Sequence, residues 1–144
     1  MKFVSQLLEA KGHTVWTITP DTSVFEALKR MADRNVGALL VVEGKKLAGI
    51  FSERDYARKV ILKGKSSREI PVKEIMSTRV VFVRPNQTID ECMALMTEKR
   101  IRHLPVLQSE KLIGLISIGD VVKAVIGEQE FIIHQLENYV SGTH

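Results

Sequence analysis

The sequence predicts an α+β fold with two tandem β-α-β-β-α units and an extra C-terminal helix. Two observations carry this prediction. Residues 18–61 align with residues 83–126 at a constant offset of 65 positions and without a gap, so the chain contains an internal repeat. Within each copy, apolar residues follow strand, helix, strand, strand and helix periodicity in that order.

The two copies show the same order of predicted elements. A β-rich run at 15–19 or 80–84 ends before Pro20 or Pro85, because proline cannot donate to a sheet ladder. After its first helix, each copy has two strands joined by a tight turn, and then a second helix. These lie at 38–51 and 53–63 in the first copy, and at 104–116 and 118–126 in the second.

The first helix of each copy begins at a recognisable capping box. Ser23-x-x-Glu26 opens it in the first copy and Thr88-x-x-Glu91 opens it in the second. A one-sided apolar stripe follows both starts, so each helix is expected to pack on a neighbouring element.

The repeat also predicts the domain boundaries. We expect a first unit over residues 3–64, a second over 72–126 and a C-terminal helical tail over 127–144. The short segments 4–8 and 71–76 are expected to lead into the first and the second unit, respectively. Because each copy has only about 45 residues, the two should share one core or one interface.

Composition indicates a soluble protein. Hydrophobic residues make up 44% of the chain and charged residues 26%, and no apolar run approaches the roughly 18 residues that span a bilayer. The N-terminus lacks a signal-peptide pattern, and the single Cys92 allows no internal disulfide, so we expect a cytoplasmic location without membrane attachment. The net charge of +4 suits an anionic ligand.

The motif Ser-x-x-Asp occurs twice where a buried strand passes into a helix, at Ser52/Asp55 and at Ser117/Asp120. The N–H groups of a helix N-terminus favour anions such as phosphate. A carboxylate one turn further on can accept hydrogen bonds from two adjacent hydroxyls, as in the 2′,3′-diol of a ribose. The motif can equally be a helix cap without any ligand, and this alternative stays open.

The ordered set of motifs resembles a pair of CBS domains, the regulatory module named from cystathionine β-synthase. The resemblance rests on VGALLVV and IRHLPVL, on LAG and LIG, and on GIFSERD and GLISIGD, and it covers about residues 3–126. It implies that the two units pack through their sheets with pseudo-two-fold symmetry, and that such pairs form disc-like homodimers. It also implies a sensor that binds AMP, ADP, ATP, NAD or S-adenosylmethionine in clefts between the units and signals to a partner protein.

The resemblance implies that both aspartates of the repeated motif contact ribose. Arg54, Arg102 and His103 are candidate phosphate ligands, and the first copy has Gly37-Ala38 where the second has Arg102-His103. That asymmetry argues against two equivalent sites. Apolar strand entries are expected to contact adenine, and the candidates are Ile18, Val36, Val83 and Ile101, with Thr17 beside them.

Other functions remain as alternatives. Nucleic-acid binding fits the basic charge, but aromatic residues are 6% of the chain and are not interleaved with basic ones. A purely structural dimerisation protein would use both Ser-x-x-Asp motifs only as caps. An enzyme has the least support, because the sequence shows no nucleophile–base constellation, catalytic cofactor motif or metal-ligand spacing.

Overall fold

The computed structural model describes residues 2–141 and confirms the predicted α+β class. The chain divides into two compact units. The first unit spans Thr14–Val81, and the second combines the N-terminal segment up to His13 with the chain from Phe82 onward. In chain order the elements are α1 (Val4–Lys11), β1 (Thr17–Ile18), α2 (Val24–Arg34), β2 (Ala38–Glu43), β3 (Lys46–Ser52), α3 (Glu53–Tyr56), a π-helical turn (Ala57–Ile61), a 3-10 turn (Val72–Glu74), α4 (Ile89–Lys99), β4 (His103–Gln108), β5 (Lys111–Ser117) and α5 (Ile118–Ser141).

The first unit is built on a three-stranded sheet of order β1-β2-β3. β1 runs parallel to β2, and β2 pairs antiparallel with β3. The sheet and α2 enclose a core in which Leu39, Val41 and Phe51 are almost fully buried. The helix α2 begins as predicted, since Ser23 Oγ accepts a hydrogen bond from the Glu26 N–H at 3.1 Å.

The second unit repeats this arrangement with one strand reduced. β4 and β5 form an antiparallel hairpin, and the predicted run at 80–84 contributes only an isolated parallel bridge between Val83 and Val106. The helix α4 begins where Thr88 Oγ1 accepts a hydrogen bond from the Glu91 N–H at 3.1 Å. Cys92 on this helix is buried, which raises the pKa of its thiol to about 11, so the thiol stays protonated at neutral pH.

The two hairpins close with loops of the same length and different backbone geometry. Each loop has two residues between the last paired positions. In the first, Gly44 has a φ of 63°, whereas in the second both Ser109 (50°) and Glu110 (66°) have positive φ. The second loop is thus of the I′ type, although it contains no glycine or asparagine.

The segments that precede the two repeats are exchanged between the units, contrary to our expectation. The Val72 N–H donates to the Thr22 carbonyl at 2.7 Å, so the segment 71–76 closes the first unit. The Val4 N–H donates to the Gln87 carbonyl at 2.9 Å, so α1 closes the second unit. Sequence order suggested the opposite assignment, because each segment directly precedes the repeat that it does not pack against.

The two exchanged segments occupy equivalent places. Val72 lies 68 positions after Val4, and its acceptor Thr22 matches Gln87 at the repeat offset of 65. Further equivalent pairs are Lys73 N–H to the Pro20 carbonyl with Ser5 N–H to the Pro85 carbonyl, and Val24 N–H to the Ile70 carbonyl with Ile89 N–H to the Lys2 carbonyl. The exchange is therefore a repeated feature of the fold.

Two glycines of the repeat make room for these segments. A Cβ on Gly114 would lie 2.6 Å from Leu8 Cδ2, and a Cβ on Gly49 would lie 2.8 Å from Met76 Sδ. Both positions are in the second strand of a hairpin, in β5 and β3. The conserved spacing of glycine in the two copies thus has a packing cause.

The last helix differs from the prediction in length. The expected helix over 118–126 continues through Gly127 as a single helix to Ser141, so the predicted tail is an extension of α5. The tail's last residues, 142–144, lie outside the described part of the chain. Among residues 2–141, no helix is both long enough and apolar enough to cross a membrane.

The packing of α1 on β5 predicts a coupled mutational effect. Leu8→Ala should destabilise the protein by about 2–5 kcal/mol through a cavity, and Gly114→Ala by about 1–3 kcal/mol through overpacking. In the double variant the new methyl group partly fills the space left by Leu8, so the combined loss should be smaller than the sum. Urea unfolding of the four proteins in this mutant cycle measures the coupling.

Gly119→Ala is the matched control, because a Cβ there would meet only Ser117 Oγ at an ordinary 3.6 Å. Strict additivity of Leu8→Ala and Gly114→Ala would show that α1 does not pack against β5.

Candidate ligand-binding site

The first Ser-x-x-Asp motif forms a reciprocal capping box at the start of α3. Ser52 Oγ accepts from the Asp55 N–H at 3.2 Å, and the Ser52 N–H donates to Asp55 Oδ2 at 3.0 Å. The same Oδ2 also accepts from the Ser52 hydroxyl at 3.1 Å. On the other oxygen, Oδ1 accepts from the Ser77 hydroxyl at 3.2 Å and pairs with Lys59 Nζ at 3.3 Å.

The second motif forms the same box at the start of α5 with fewer further partners. The Ser117 N–H donates to Asp120 Oδ2 at 2.8 Å, and the Asp120 N–H donates to Ser117 Oγ at 3.2 Å. Lys11 Nζ lies 2.6 Å from the same Oδ2 and also donates to the Leu115 carbonyl. Within residues 2–141, no hydrogen bond reaches Asp120 Oδ1.

The two aspartates therefore differ in what they can still bind. A carboxylate has about four acceptor positions, and four donors surround Asp55, whose side chain is 12% exposed. Asp120 is twice as exposed, at 23%, and keeps one oxygen without a protein donor in the described chain. This difference between the two carboxylates comes from Ser77, Lys59 and Lys11, none of which belongs to the asymmetry that the sequence analysis recognised.

Lys11 is a candidate site residue that sequence reasoning missed. It lies at the end of α1, 109 positions before Asp120, and only the exchange of α1 into the second unit brings it there. The equivalent exchanged segment ends near Ser77, which reaches Asp55 with an uncharged hydroxyl. The internal match Val4-x-x-Leu7-Leu8 to Val72-x-x-Ile75-Met76 indicates that the two segments are equivalent, but not which unit each of them closes.

Arg102 and His103 lie beside the start of α5. His103 pairs with Ser117 across β4 and β5, and the main-chain carbonyl of Arg102 accepts from the Ile118 N–H at 2.8 Å. In the first unit the equivalent bond runs from the Glu53 N–H to the carbonyl of Gly37. The backbone is therefore alike in both units, but the first has no basic side chain in place of Arg102.

The electrostatics of the second unit are set by these neighbours. Burial lowers the pKa of His103, the positive charges of Lys11 and Arg102 lower it further, and Asp120 opposes them. His103 is consequently neutral at pH 7. Burial raises the pKa of Asp120, but the hydrogen bonds from Lys11 and Ser117 outweigh it, so the net pKa is lowered and the carboxylate is ionised.

The remaining predicted residues fall into two groups. Arg54 is exposed on the first turn of α3, in the same unit as Ser52 and Asp55. Among the apolar candidates, Ile18 ends β1 and Val83 forms an isolated bridge, and both are buried in the cores of their units. Thr17 is exposed, and Val36 and Ile101 are half-buried. A contact of these five residues with adenine stays a prediction.

Comparison with known proteins connects this geometry to a family. The family model of the CBS domain matches residues 12–62 and 72–127 of this chain. The mitochondrial CBS domain-containing protein CBSX3 of Arabidopsis thaliana is 42% identical over 149 residues, covering 96% of this chain and 72% of the relative.

Solved structures share the fold. The CBS-domain containing protein ATU1752 from Agrobacterium tumefaciens is 41% identical, with a TM-score of 0.82 over 85% of this chain and 98% of that one. The CBS domain pair of protein MJ0100, solved in complex with 5′-methylthioadenosine and S-adenosyl-L-methionine, is 22% identical, with a TM-score of 0.78 over 89% and 98% of the two chains. At that identity the likeness shows the fold alone. The chain studied here belongs to the CBS domain family and carries two CBS domains in tandem.

Proposed function

We propose that this protein is a sensor that binds an adenosine-containing ligand, and that the ribose of the ligand is held by Asp120 of the second CBS domain. CBS domain pairs are regulatory modules. The observation that carries the proposal is the free acceptor capacity of the Asp120 carboxylate beside a cluster of basic groups.

The ribose assignment follows from hydrogen-bond chemistry. Asp120 is anchored through Oδ2 by the Ser117 N–H, which holds the carboxylate at the helix start. Its Oδ1 can then accept from a ribose hydroxyl, and a second hydroxyl can take the position at Oδ2 that Lys11 occupies. Charge-assisted hydrogen bonds of this kind contribute roughly 1.5–3 kcal/mol each.

The phosphate assignment follows from charge. The charges of Lys11, Asp120 and Arg102 all act on His103. An ammonium group displaced from Asp120 by ribose remains within the reach of its own flexible side chain, so Lys11 can pair with a phosphate of the same ligand. The N–H groups at the start of α5 add to the attraction for an anion.

The first CBS domain is proposed as a weaker site or a structural cap. Four protein donors already occupy the carboxylate of Asp55, and a ribose would have to displace Ser77 or Lys59. Arg54 provides one candidate phosphate contact there. The two sites would therefore be unequal, as the asymmetry of the repeats suggested.

The adenosine ligand is proposed to be one of AMP, ADP, ATP, NAD and S-adenosylmethionine. A cytoplasmic location, a homodimer and signalling to a protein target are also part of this proposal. The binding of 5′-methylthioadenosine and S-adenosyl-L-methionine by the MJ0100 pair supports an adenosine ligand, since both contain the ribose that Asp120 would hold. Other adenosine ligands share that group.

Substitution of the two aspartates should separate the two sites. Asp120→Ala should weaken binding of the adenosine ligand at least about tenfold, whereas Asp55→Ala should weaken it less. Calorimetric titration with AMP, ADP, ATP, NAD and S-adenosylmethionine measures this. Asp90→Ala, an exposed first-turn aspartate of α4, is the control and should bind like the parent.

A 2′-deoxy ligand should lose affinity for the parent protein and lose little more for Asp120→Ala, because the hydroxyl and the carboxylate form one interaction. Unchanged affinity in both aspartate variants would refute the ribose assignment. Absence of binding by any of the five ligands at millimolar concentration would favour a purely structural protein.

The lowered pKa of His103 predicts a pH dependence of binding. The imidazole is neutral at pH 7 in the free protein, and a bound phosphate would favour its protonated form and raise its pKa. Binding then takes up a proton, so affinity should increase as the pH falls from about 7.5 to about 5.5.

His103→Gln should remove that part of the pH dependence, measured as the difference in dissociation constant between the variant and the parent at each pH. The comparison cancels the titration of the ligand's own phosphate. If the two proteins show the same pH profile, His103 does not contact the phosphate.

A further inference from the structure

The C-terminal half of α5 has an apolar face that nothing in the described chain covers. Val121 near its start is fully buried, but from Gln129 to Val140 every side chain except that of Asn138 is exposed. Helices in proteins are stabilised mainly by tertiary packing of an apolar face, and this part of α5 has such a face without such packing. We propose that α5 pairs in antiparallel orientation with α5 of a second copy of this chain.

The spacing of the exposed residues is that of a helix-pairing seam. The seam alternates steps of four and three positions through Val122, Ile126, Gln129, Ile133, Leu136 and Val140. Exposure along it rises from 44% at Val122 to 83% at Val140. This 3-4 alternation over almost three heptads is the pattern by which two helices interdigitate their side chains.

The C-terminal part of the seam is an open apolar surface. Ile133, Leu136, Glu137 and Val140 form it together along one side of the helix. Apolar patches of this kind on otherwise polar helices mark association surfaces. Gln129 is the single polar residue in the seam, and the antiparallel register sets it near the two-fold axis, opposite Ile133 of the other copy.

Charge selects a second copy in antiparallel orientation. Lys123 and Glu137 flank the same seam at its opposite ends, each one position after a seam residue. A two-fold axis near the middle of α5 places Lys123 of each copy beside Glu137 of the other, and it sets Val122 opposite Val140 and Ile126 opposite Leu136. In a parallel pair Lys123 and Glu137 of the two copies would lie about 20 Å apart along the helix axis, so these opposite charges could not meet. The antiparallel register sets Glu130 beside its own copy at the axis, so two attractive pairs stand against one repulsive pair.

The pairing goes beyond the proposed ligand function and does not depend on it. Asp120 lies on the first turn of α5, before the seam begins at Val122. Variants of the seam should therefore keep the ligand affinity of the parent at subunit level, and failure of one proposal leaves the other testable.

Sedimentation of the full-length protein tests the proposal. The parent should show a mass that falls on dilution, and Ile133→Glu with Leu136→Glu should reduce the mass by about half at concentrations where the parent is associated. Phe131→Glu is the matched control, because Phe131 is equally apolar and 64% exposed but lies outside the seam, and it should keep the parent's mass.

A seam variant with the parent's mass, or a Phe131→Glu control that dissociates to the same extent, would overturn the proposal. Charge reversal at the flanks of the seam is a second test of the pairing. Lys123→Glu and Glu137→Lys should each weaken association, and the double reversal should restore it.

Disulfide cross-linking tests the orientation in protein with an otherwise intact seam. A mixture of Val122→Cys and Val140→Cys copies should form a cross-linked dimer under mild oxidation, whereas Val140→Cys alone should not. The natural Cys92 is buried and does not interfere. Cross-linking of Val140→Cys alone, or none in the mixture, would contradict antiparallel pairing.

Discussion

The fold of each unit depends on a short segment that lies outside the repeat in sequence and packs against it. Three equivalent main-chain hydrogen bonds hold α1 in the second unit and the segment 71–76 in the first. Neither repeat is complete without its segment, since Gly49 and Gly114 leave the space that Met76 and Leu8 occupy. A core of about 45 residues is marginal by itself, and the added apolar side chains enlarge it.

The same segments determine the chemistry at the two Ser-x-x-Asp helix starts. The segment in the second unit ends with Lys11, which gives Asp120 a cation and leaves one of its oxygens without a protein donor. The segment in the first unit is followed by Ser77, which together with Lys59 completes the four donors around Asp55. Two motifs with the same Ser and Asp thus become different sites through contacts from far along the chain.

Sequence reasoning predicted the elements well, because the repeat, the caps at Ser23 and Thr88 and the alternating strands all depend on local patterns. It missed the exchange of α1, since the hydrogen bond from the Val4 N–H to the Gln87 carbonyl joins residues that no local pattern connects. For the same reason it found the motif aspartates but not Lys11. It also ended the last helix at Ile126, because Gly127 is a weak helix former that the longer helix nevertheless includes.

An adenosine ligand bound at the start of α5 would change the environment of the amides there. NMR titration of the protein with AMP, monitored through the chemical shifts of the backbone amides, measures this directly. We expect saturable shifts at Ser117, Gly119 and Asp120, with smaller ones at Ser52 and Asp55. Saturation without shifts at the start of α5, or with the largest shifts at α3, would contradict it.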